Sequence, residues 1–334
     1  MNEVFNGKIV LITGGTGFIG RSLTEDILQQ DPDSIRIYSR DEFKHHKMRE
    51  SVNDPRVRHL VGDVRDFSRL SRAMKDVDIV IHAAAMKRID MIEYNVNEAI
   101  KTNVFGTLNV VESCLENDVE KAVYISTDKA CSPINTYGAT KLLGERIFVE
   151  SNFNKGRSNT KFLVVRYGNV LESTGSVIPF FMEKIKKSQT IPLTDERMTR
   201  FIISSRRAID LIKDALTNGV GGEIFIPKIK SMRIVDLIDV MKEFYGCGNQ
   251  VKIIGIRPGE KIHEVLINDD ESTRSYELGD SYIILSQIDK YQSHIKYQYL
   301  NGKIPVGFRE MKSSDFLLVK DKLKEMLITE GILN

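Results

Sequence analysis

The sequence predicts an α/β fold: a Rossmann-type, doubly wound parallel sheet followed by a smaller C-terminal α/β lobe. Three observations predict it. Short apolar runs alternate with helical patterns through the first half of the 334-residue chain. A glycine-rich turn, Gly14-Gly15-Thr16-Gly17-Phe18-Ile19-Gly20, joins the first apolar run to the first helical pattern. After Arg166 the alternation loosens, as where a sheet domain gives way to a covering lobe.

The elements follow in order. Residues 8–13 (Lys-Ile-Val-Leu-Ile-Thr) have the largely apolar pattern of a parallel strand buried on both faces. A helical pattern runs from about residue 18 to 30, until Asp31-Pro-Asp-Ser breaks it. Residues 35–38 and 57–61 read as the next strands, and Gly62-Asp63 follows the second. A helix covers about 67–74, a fourth strand 78–83, and a long helix the region near 96–117. Residues 122–126 form a fifth strand, 136–152 the helix after it, and 162–166 a sixth strand. Beyond that, 168–194 mixes Gly, Pro and a short helix. Helices are expected at 206–218 and 234–244, and strands at 223–226 and 251–256. A Ser/Asp start and helical spacing predict a terminal helix over 314–327. The chain thus divides into a nucleotide-binding domain over 1–167 and a lobe over 168–334, with part of 195–220 returning to the first domain.

Composition bounds the function. Apolar residues make up 41%, charged residues 28%, and the net charge is +2, so no nucleic-acid partner is implied. No run of about eighteen apolar residues occurs and no signal-peptide pattern precedes the first strand, so no membrane span is expected. Cys114, Cys131 and Cys247 are scattered and odd in number, fitting neither a disulfide framework nor a zinc site. No metal is expected, and a reducing cytoplasm is the expected home.

The glycine turn has the strand–turn–helix context of a dinucleotide site. Gly14 permits the tight turn, Gly17 lets backbone amides approach a pyrophosphate, and Gly20 allows close packing. Thr16, Phe18 and Ile19 share this cofactor-binding loop, where the helix N-terminus offers positive potential. The alternative is a tight turn without a ligand.

The end of the second strand bears on the cofactor. An NAD site usually places an acid there for the ribose diol. Here Ser39 and Arg40 suit a 2′-phosphate, and Lys44 adds charge. NADP is favoured; Asp41 keeps NAD open, and Arg40 as an ordinary surface charge is the rival reading. Asp63 and Val64 are placed to meet the adenine, with a helix N-cap as the alternative for Asp63. Ala83 and Ala84 keep the floor of the site small enough for a flat ring.

Tyr137 and Lys141, four residues apart, face one side of a helix. A phenol beside an ammonium and an oxidised nicotinamide is expected to have a lowered pKa, and then takes the proton of a carbinol as its hydride leaves. Lys141 would also hold the nicotinamide ribose. The bland reading is a helix face with a surface lysine. Thr127, Asp128 and Lys129 leave the carboxyl end of the fifth strand, where such sheets place their chemistry. A reductase or epimerase needs only the Thr127 hydroxyl there. Asp128 as acid and Lys129 as base add what elimination of water requires. Lys129 must then be at least partly neutral, which burial and nearby cations favour. The alternative is a surface salt pair on a loop.

At these residues the chain resembles the extended short-chain dehydrogenases/reductases. More narrowly, it resembles the inverting UDP-N-acetylglucosamine 4,6-dehydratases of pseudaminic acid and capsule biosynthesis. The likeness runs through Tyr38-Ser-Arg-Asp-Glu, Gly62-Asp-Val-Arg-Asp66, His82-Ala-Ala-Ala-Met-Lys87 and Lys101-Thr-Asn103. It continues through Ser126-Thr-Asp-Lys-Ala130, Tyr137-Gly-Ala-Thr-Lys141, Arg166-Tyr-Gly-Asn169, Met198-Thr-Arg-Phe201 and Gly255-Ile-Arg-Pro-Gly-Glu-Lys261. It implies a redox-neutral cycle with inversion at C5, a UDP-sugar substrate, and a homo-oligomer, dimer or hexamer. It also implies that Lys87, Asn169, Val177, Arg200, Arg257 and Glu260 line the substrate site, and that Lys87 and Asn103 border the cofactor. For each arginine an ion pair between lobes is the alternative. The chain departs from the family at Glu172-Ser-Thr-Gly-Ser-Val177, where a cation is usual and an acid stands instead. A nucleotide-sugar epimerase, a bifunctional dehydratase/epimerase and a non-catalytic NADP-binding regulator remain the alternatives.

Overall fold

In the computed structural model, which describes residues 3–173, 176–288 and 295–333, parallel strands and helices alternate as expected. The order is β1 (Ile9–Thr13), α1 (Phe18–Leu28), β2 (Ser34–Ser39), α2 (Glu42–Ser51), β3 (Val57–Val61), α3 (Phe67–Ala73) and β4 (Ile79–His82). Then come α4 (Ile89–Tyr94), α5 (Val96–Ala99), α6 (Gly106–Glu116), β5 (Lys121–Thr127), α7 (Thr136–Asn154) and β6 (Lys161–Tyr167). The sheet has nine strands. From one edge they run β3-β2-β1-β4-β5-β6, and three later strands follow: Ile224–Pro227, Ser281–Ile284 and Ser275–Leu278. All pairings through Ile224–Pro227 are parallel, and the last two strands join antiparallel. Strand order reverses between β1 and β4, so their carboxyl ends open the crevice where such sheets take ligands.

The apolar runs explain the layers. Val10, Leu11, Ile12, Val80, Ile81, Val123 and Val164 are fully buried, because helices cover both faces of the sheet. Burying each such side chain is worth about 1.5–3 kcal/mol. A second apolar cluster lies in the lobe, with Phe181, Ile191, Ile202, Leu237, Met241 and Leu323 at its centre. The chain returns to the large sheet after leaving it. Helix Ser205–Asn218 packs on α1, where Lys213 pairs with Asp26 at 3.0 Å, and Ile224–Pro227 and Ser275–Ile284 extend the sheet itself.

Several elements differ from the sequence reading. Helix α2 goes unread because it is mostly polar, with only His45 and Met48 buried. The expected long helix near 96–117 is α5, a π-helical stretch Ile100–Phe105, and α6. Lobe strands Ile191–Leu193 and Val265–Ile267 are three residues each, too short for a period to show, and the strand expected at 251–256 is present but ends at Ile253. The terminal helix spans Lys320–Thr329 rather than starting at Ser314. The preceding segment is held extended instead: Ser231 N donates to Phe316 O, and Leu318 N donates back to Ser231 O.

Arg166 on β6 is wholly buried between two carboxylates. Its Nε and Nη2 bond Glu145 of α7 at 2.9 and 2.7 Å. Nη2 and Nη1 each bond Glu271 at 2.8 Å, and Nη1 also reaches Leu266 O at 2.8 Å. All five guanidinium donors are thereby used. Burial opposes the Glu271 charge, but Arg166 outweighs it and holds the carboxyl at about 2 against an ordinary 4.5. Because that value is lowered by folding, the stabilisation is present above the ordinary carboxyl range and is lost as pH falls from about 4.5 through about 2. Replacing Glu271 by Ala leaves this charge half-paired and should cost about 3–5 kcal/mol in urea denaturation. Lys322→Ala, which removes an exposed pair with Glu325, should cost under about 1 kcal/mol. Equal losses would overturn this account of the triad.

Candidate active site

The glycine turn closes tightly under the ends of β1 and β4. Gly14 has φ +68°, and a Cβ there would lie 2.8 Å from the backbone N and Cα of Ala84. Only glycine fits. Gly20 packs on the turn itself, against Gly15. Gly17 is the N-cap of α1 and no side chain caps the helix, so its first amides remain for an anion. This uncapped terminus behind a turn that admits no Cβ fits a dinucleotide pyrophosphate.

Below the turn runs a chain of hydrogen bonds that the sequence reading missed. Thr107 Oγ1 donates to Asn103 O at 2.6 Å, so it accepts from His82 Nε2 at 3.0 Å. His82 Nδ1 then accepts from Thr13 Oγ1 at 2.6 Å. Burial keeps this ring neutral, with its pKa pushed down to about 3. Asn103 lies in the π-helical stretch and braces the loop after β4. Its Oδ1 accepts from Met86 N, and its Nδ2 donates to Met86 O and Thr140 Oγ1. All of these bonds are internal to the protein. Lys87 stands in that loop, its pKa lowered by desolvation and then by Lys44.

At the end of β2, Thr16 Oγ1 and Ser39 Oγ lie 2.7 Å apart, and Ser39 Oγ also meets His45 Nε2 at 3.1 Å. Asp41 serves its own helix, capping α2 by accepting from Lys44 N at 3.0 Å. Lys44 Nζ lies 3.3 Å from the same carboxylate, and Arg40 lies 3.6 Å from Asp63. Asp63 is not the cap of α3; Asp66 is. Asp63 instead accepts from Arg65 N and its guanidinium. Val64 is buried beside it, and Ala83 and Ala84 floor the crevice.

Tyr137 and Lys141 lie on the face of α7 that packs against β5. Two expectations about them are corrected. The phenol is not lowered by Lys141: burial pushes Tyr137 up to about 12, and the cation that works against this is Lys129. Burial pulls Lys141 down to about 7, while its Nζ donates to Ile125 O at 2.5 Å and sits 3.8 Å above the Tyr124 ring. The protein alone therefore favours a neutral phenol, which the positive charge of an oxidised nicotinamide would lower.

Asp128 and Lys129 begin a 3₁₀ turn directly after β5. Asp128 is fully buried; its Oδ1 accepts from Thr127 Oγ1 and Lys129 Nζ, both at 2.9 Å. The carboxylate is buried and the Lys129 side chain is 19% exposed, so the pair is largely enclosed and not a surface one. The expectation that burial and nearby cations make Lys129 neutral is also corrected. Burial does oppose its charge, but Asp128 and Glu264 outweigh it and raise the amine above the usual lysine range. Glu264 had gone unnoticed, although it follows Gly259-Glu-Lys261 by three residues. Its Oε1 lies 3.7 Å from Lys129 Nζ.

The expected substrate residues divide. Asn169 Oδ1 accepts from Lys129 Nζ at 3.3 Å, inside the cluster. Arg200 is buried, donating to Thr199 O at 2.7 Å and lying 3.9 Å from Glu264, a contact within the lobe and not between lobes. Arg257 is exposed and lies 3.9 Å from Glu260. Their loop docks on the sheet domain through Asn135 Nδ2 to Gly259 O at 2.7 Å and Lys261 Nζ to Cys131 O at 2.7 Å. Val177 begins helix Val177–Lys186. Glu172 Oε1 accepts weakly from Ser205 Oγ at 3.4 Å, and Thr174 and Gly175 lie outside the described residues. Among the described residues there is no metal-binding cluster, and no helix is long and apolar enough to cross a membrane.

A Rossmann crevice with a Tyr/Lys pair on the helix after β5 defines an enzyme of the short-chain dehydrogenase/reductase type. The chain belongs to the family described as polysaccharide biosynthesis protein, whose model matches residues 10–286. It is 49% identical to a Campylobacter jejuni protein named UDP-N-acetylglucosamine 4,6-dehydratase (inverting), over 85% of each chain. It is 40% identical to a Rickettsia bellii protein named UDP-glucose 4-epimerase, over 97% of this chain and 96% of that one. The X-ray structure of Pen from Bacillus thuringiensis superposes with a TM-score of 0.92 at 38% identity, covering 98% and 99% of the two chains.

Gly14→Ala tests the cradle. Strain of about 1–3 kcal/mol at this φ, with the clash at Ala84, should weaken dinucleotide binding about tenfold or more by calorimetric titration. Unchanged affinity would mean the pyrophosphate does not lie on this turn.

Proposed function

We propose that the protein catalyses redox-neutral 4,6-dehydration of UDP-N-acetylglucosamine with inversion at C5. The product is UDP-2-acetamido-2,6-dideoxy-β-L-arabino-hex-4-ulose, a precursor for a surface glycan sugar. The observation that carries the reading is the ion pair of Lys129 with the buried Asp128, set on the turn against which the Tyr137 helix packs. The identity to the Campylobacter relative supports it. A UDP-sugar epimerase, the name carried by the Rickettsia relatives, needs Tyr137 but has no use for a buried acid–amine pair.

The cofactor we assign is NADP. Asp41 is engaged as the α2 cap, which leaves Ser39 and Arg40 as the polar groups facing a ribose 2′ substituent. Gly14, Thr16, Gly17, Phe18, Ile19 and Gly20 would hold the pyrophosphate, and Asp63 and Val64 the adenine end. When bound, the dinucleotide takes up hydride from C4 of the sugar and returns it at C6. Tyr137 receives the C4 hydroxyl proton, and Thr127 holds that oxygen.

The 4-ketone acidifies the C5 proton. Lys129 is charged at rest, so the base arises by passing its proton across the 2.9 Å contact to Asp128. The neutral amine then takes the C5 proton while protonated Asp128 gives its proton to the departing C6 hydroxyl. Water leaves, and the pair returns to Asp128 carboxylate and Lys129 ammonium. As hydride adds at C6 a proton adds at C5 from the opposite face, which inverts that centre, and Tyr137 releases the proton it took from the C4 hydroxyl. Lys87, Asn169, Val177, Arg257 and Glu260 are assigned to the nucleotide sugar, with Arg200 supporting them from within the lobe. Exposed Met91, Tyr94, Phe105, Leu108 and Leu143, on α4, the π-helical stretch, α6 and α7, support a homo-oligomer, which we assign to the cytoplasm.

Incubating the protein with UDP-N-acetylglucosamine in D₂O and following it by NMR tests the reading. Deuterium at C5 of a 4-keto-6-deoxy product, without net NADPH, is expected. A C4 epimer with no loss of water would replace dehydration by epimerisation. Lys129→Met should cut dehydration by about a thousandfold or more while leaving slow hydride exchange at C4; full turnover would sink its assignment. Arg40→Ala should weaken NADP at least about tenfold more than NAD in binding titrations, and an equal loss for both would remove the 2′-phosphate contact.

A further inference from the structure

We propose that Glu264 is a positioning residue for this elimination, its buried carboxylate holding the Lys129 amine from the lobe as Asp128 holds it from the sheet. The inference rests on the dehydratase reading above. Lys129 Nζ lies 2.9 Å from Asp128 Oδ1, 3.3 Å from Asn169 Oδ1 and 3.7 Å from Glu264 Oε1. Glu264 is 2% exposed. Its backbone is tied on both sides to Ser313, with Glu264 N to Ser313 Oγ at 2.9 Å and Ser313 N to Glu264 O at 2.8 Å. Oε2 is buried without a hydrogen-bond partner among the described residues, 3.8 Å from Lys261 Nζ. Such an unbonded carboxylate oxygen is costly in a purely structural side chain.

The charged and titratable groups facing Lys129 come from each element around it. Asp128 lies on its own turn, the Tyr137 phenol on α7, Arg200 on strand Thr199–Ile203, and Glu264 on the segment entering Val265–Ile267. Of the two carboxylates, only Asp128 is close enough to exchange a proton with the amine. Glu264, too far for that, acts on the charge alone and favours the ammonium form. It therefore restrains the Asp128–Lys129 proton transfer between turnovers and favours the ion pair that elimination regenerates. In that transfer one N–H bond breaks and one O–H bond forms, with no change in total charge. Because Glu264 belongs to the lobe, Lys129 is held this way only while the lobe is seated on the sheet domain.

Competitive acetylation of Lys129, followed by mass spectrometry across pH, reads the amine without any turnover. Glu264→Gln keeps the side-chain shape and removes the charge, so Lys129 should become reactive at lower pH than in the wild type. Lys261→Gln leaves Glu264 less neutralised and should move reactivity to higher pH. In kinetics, the alkaline limb of kcat should move in the same two directions, with KM changing by less than about threefold. Coincident acetylation curves in the wild type and either folded variant would overturn the inference. If the curves shift as stated but no protein forms a 4-keto sugar, the placement of Glu264 stands and the dehydratase reading falls.

Discussion

The Arg166 guanidinium is the constraint on which the site depends. A buried cation needs every donor satisfied, and this one obtains its partners from three places: helix α7, the short helix Asp269–Ser272 and the carbonyl of Leu266. Glu145 is four residues beyond Lys141 and eight beyond Tyr137, so fixing it fixes the rotation of α7 that presents both. Ser126 Oγ also donates to Glu145, at 2.5 Å, which ties in the end of β5 just before Thr127. Glu271 reaches Arg166 from the chain that returns late to the sheet, through a capping box built on Asn268. One cation thus registers the catalytic helix, the strand bearing the acid–amine pair and the lobe against one another.

The electrostatics divide accordingly. On α7 desolvation dominates: the phenol is raised, the Lys141 amine lowered, and both are drawn toward neutrality. On the turn after β5, opposite charges lie close enough to overcome the same desolvation, and Lys129 stays charged. Burial alone therefore does not determine the state of a lysine in this site; the distance to the nearest carboxylate does. Lys141 and Lys129 are both enclosed, and they shift in opposite directions.

What the sequence made legible was local. The strand–turn–helix start, the β-α alternation and the Tyr137/Lys141 spacing all lie within windows of a few residues, and they predicted the sheet and its ligand edge. Asp41 and Asp63 were ambiguous because one residue type serves as cap, ion-pair partner and ligand. Only the position of Lys44 N and of the Arg65 guanidinium separates these roles. The unread parts are long-range. Arg166 meets Glu271 across 105 residues, and Lys129 meets Glu264 across the whole junction between domain and lobe. No periodicity encodes such pairs, and three-residue lobe strands have no room for one. The neutral Lys129 was misjudged because the adjacent Asp128 carboxylate, with Glu264, outweighs desolvation, and the lowered Tyr137 because desolvation outweighs the Lys129 charge.

Bringing two chemistries to one place also requires that α7 approach the turn bearing Asp128 and Lys129. In an extended strand, adjacent side chains point to opposite faces, so neighbours cannot bond one another. The 3₁₀ turn at Asp128–Ala130 removes that restriction and lets the Lys129 amine fold back on Asp128. Its carbonyls then face α7, and Gly138 answers this: a Cβ there would run into the carbonyl oxygen of Lys129. The residue directly after Tyr137 must be glycine for the phenol's helix to lie against the turn. Asn135 completes the junction, capping α7 through Gly138 N at 2.7 Å while its amide bonds Gly259 O of the lobe at 2.7 Å. Gly138 is thus a packing requirement, and in the proposed reaction hydride chemistry and elimination share a site because that glycine has no side chain.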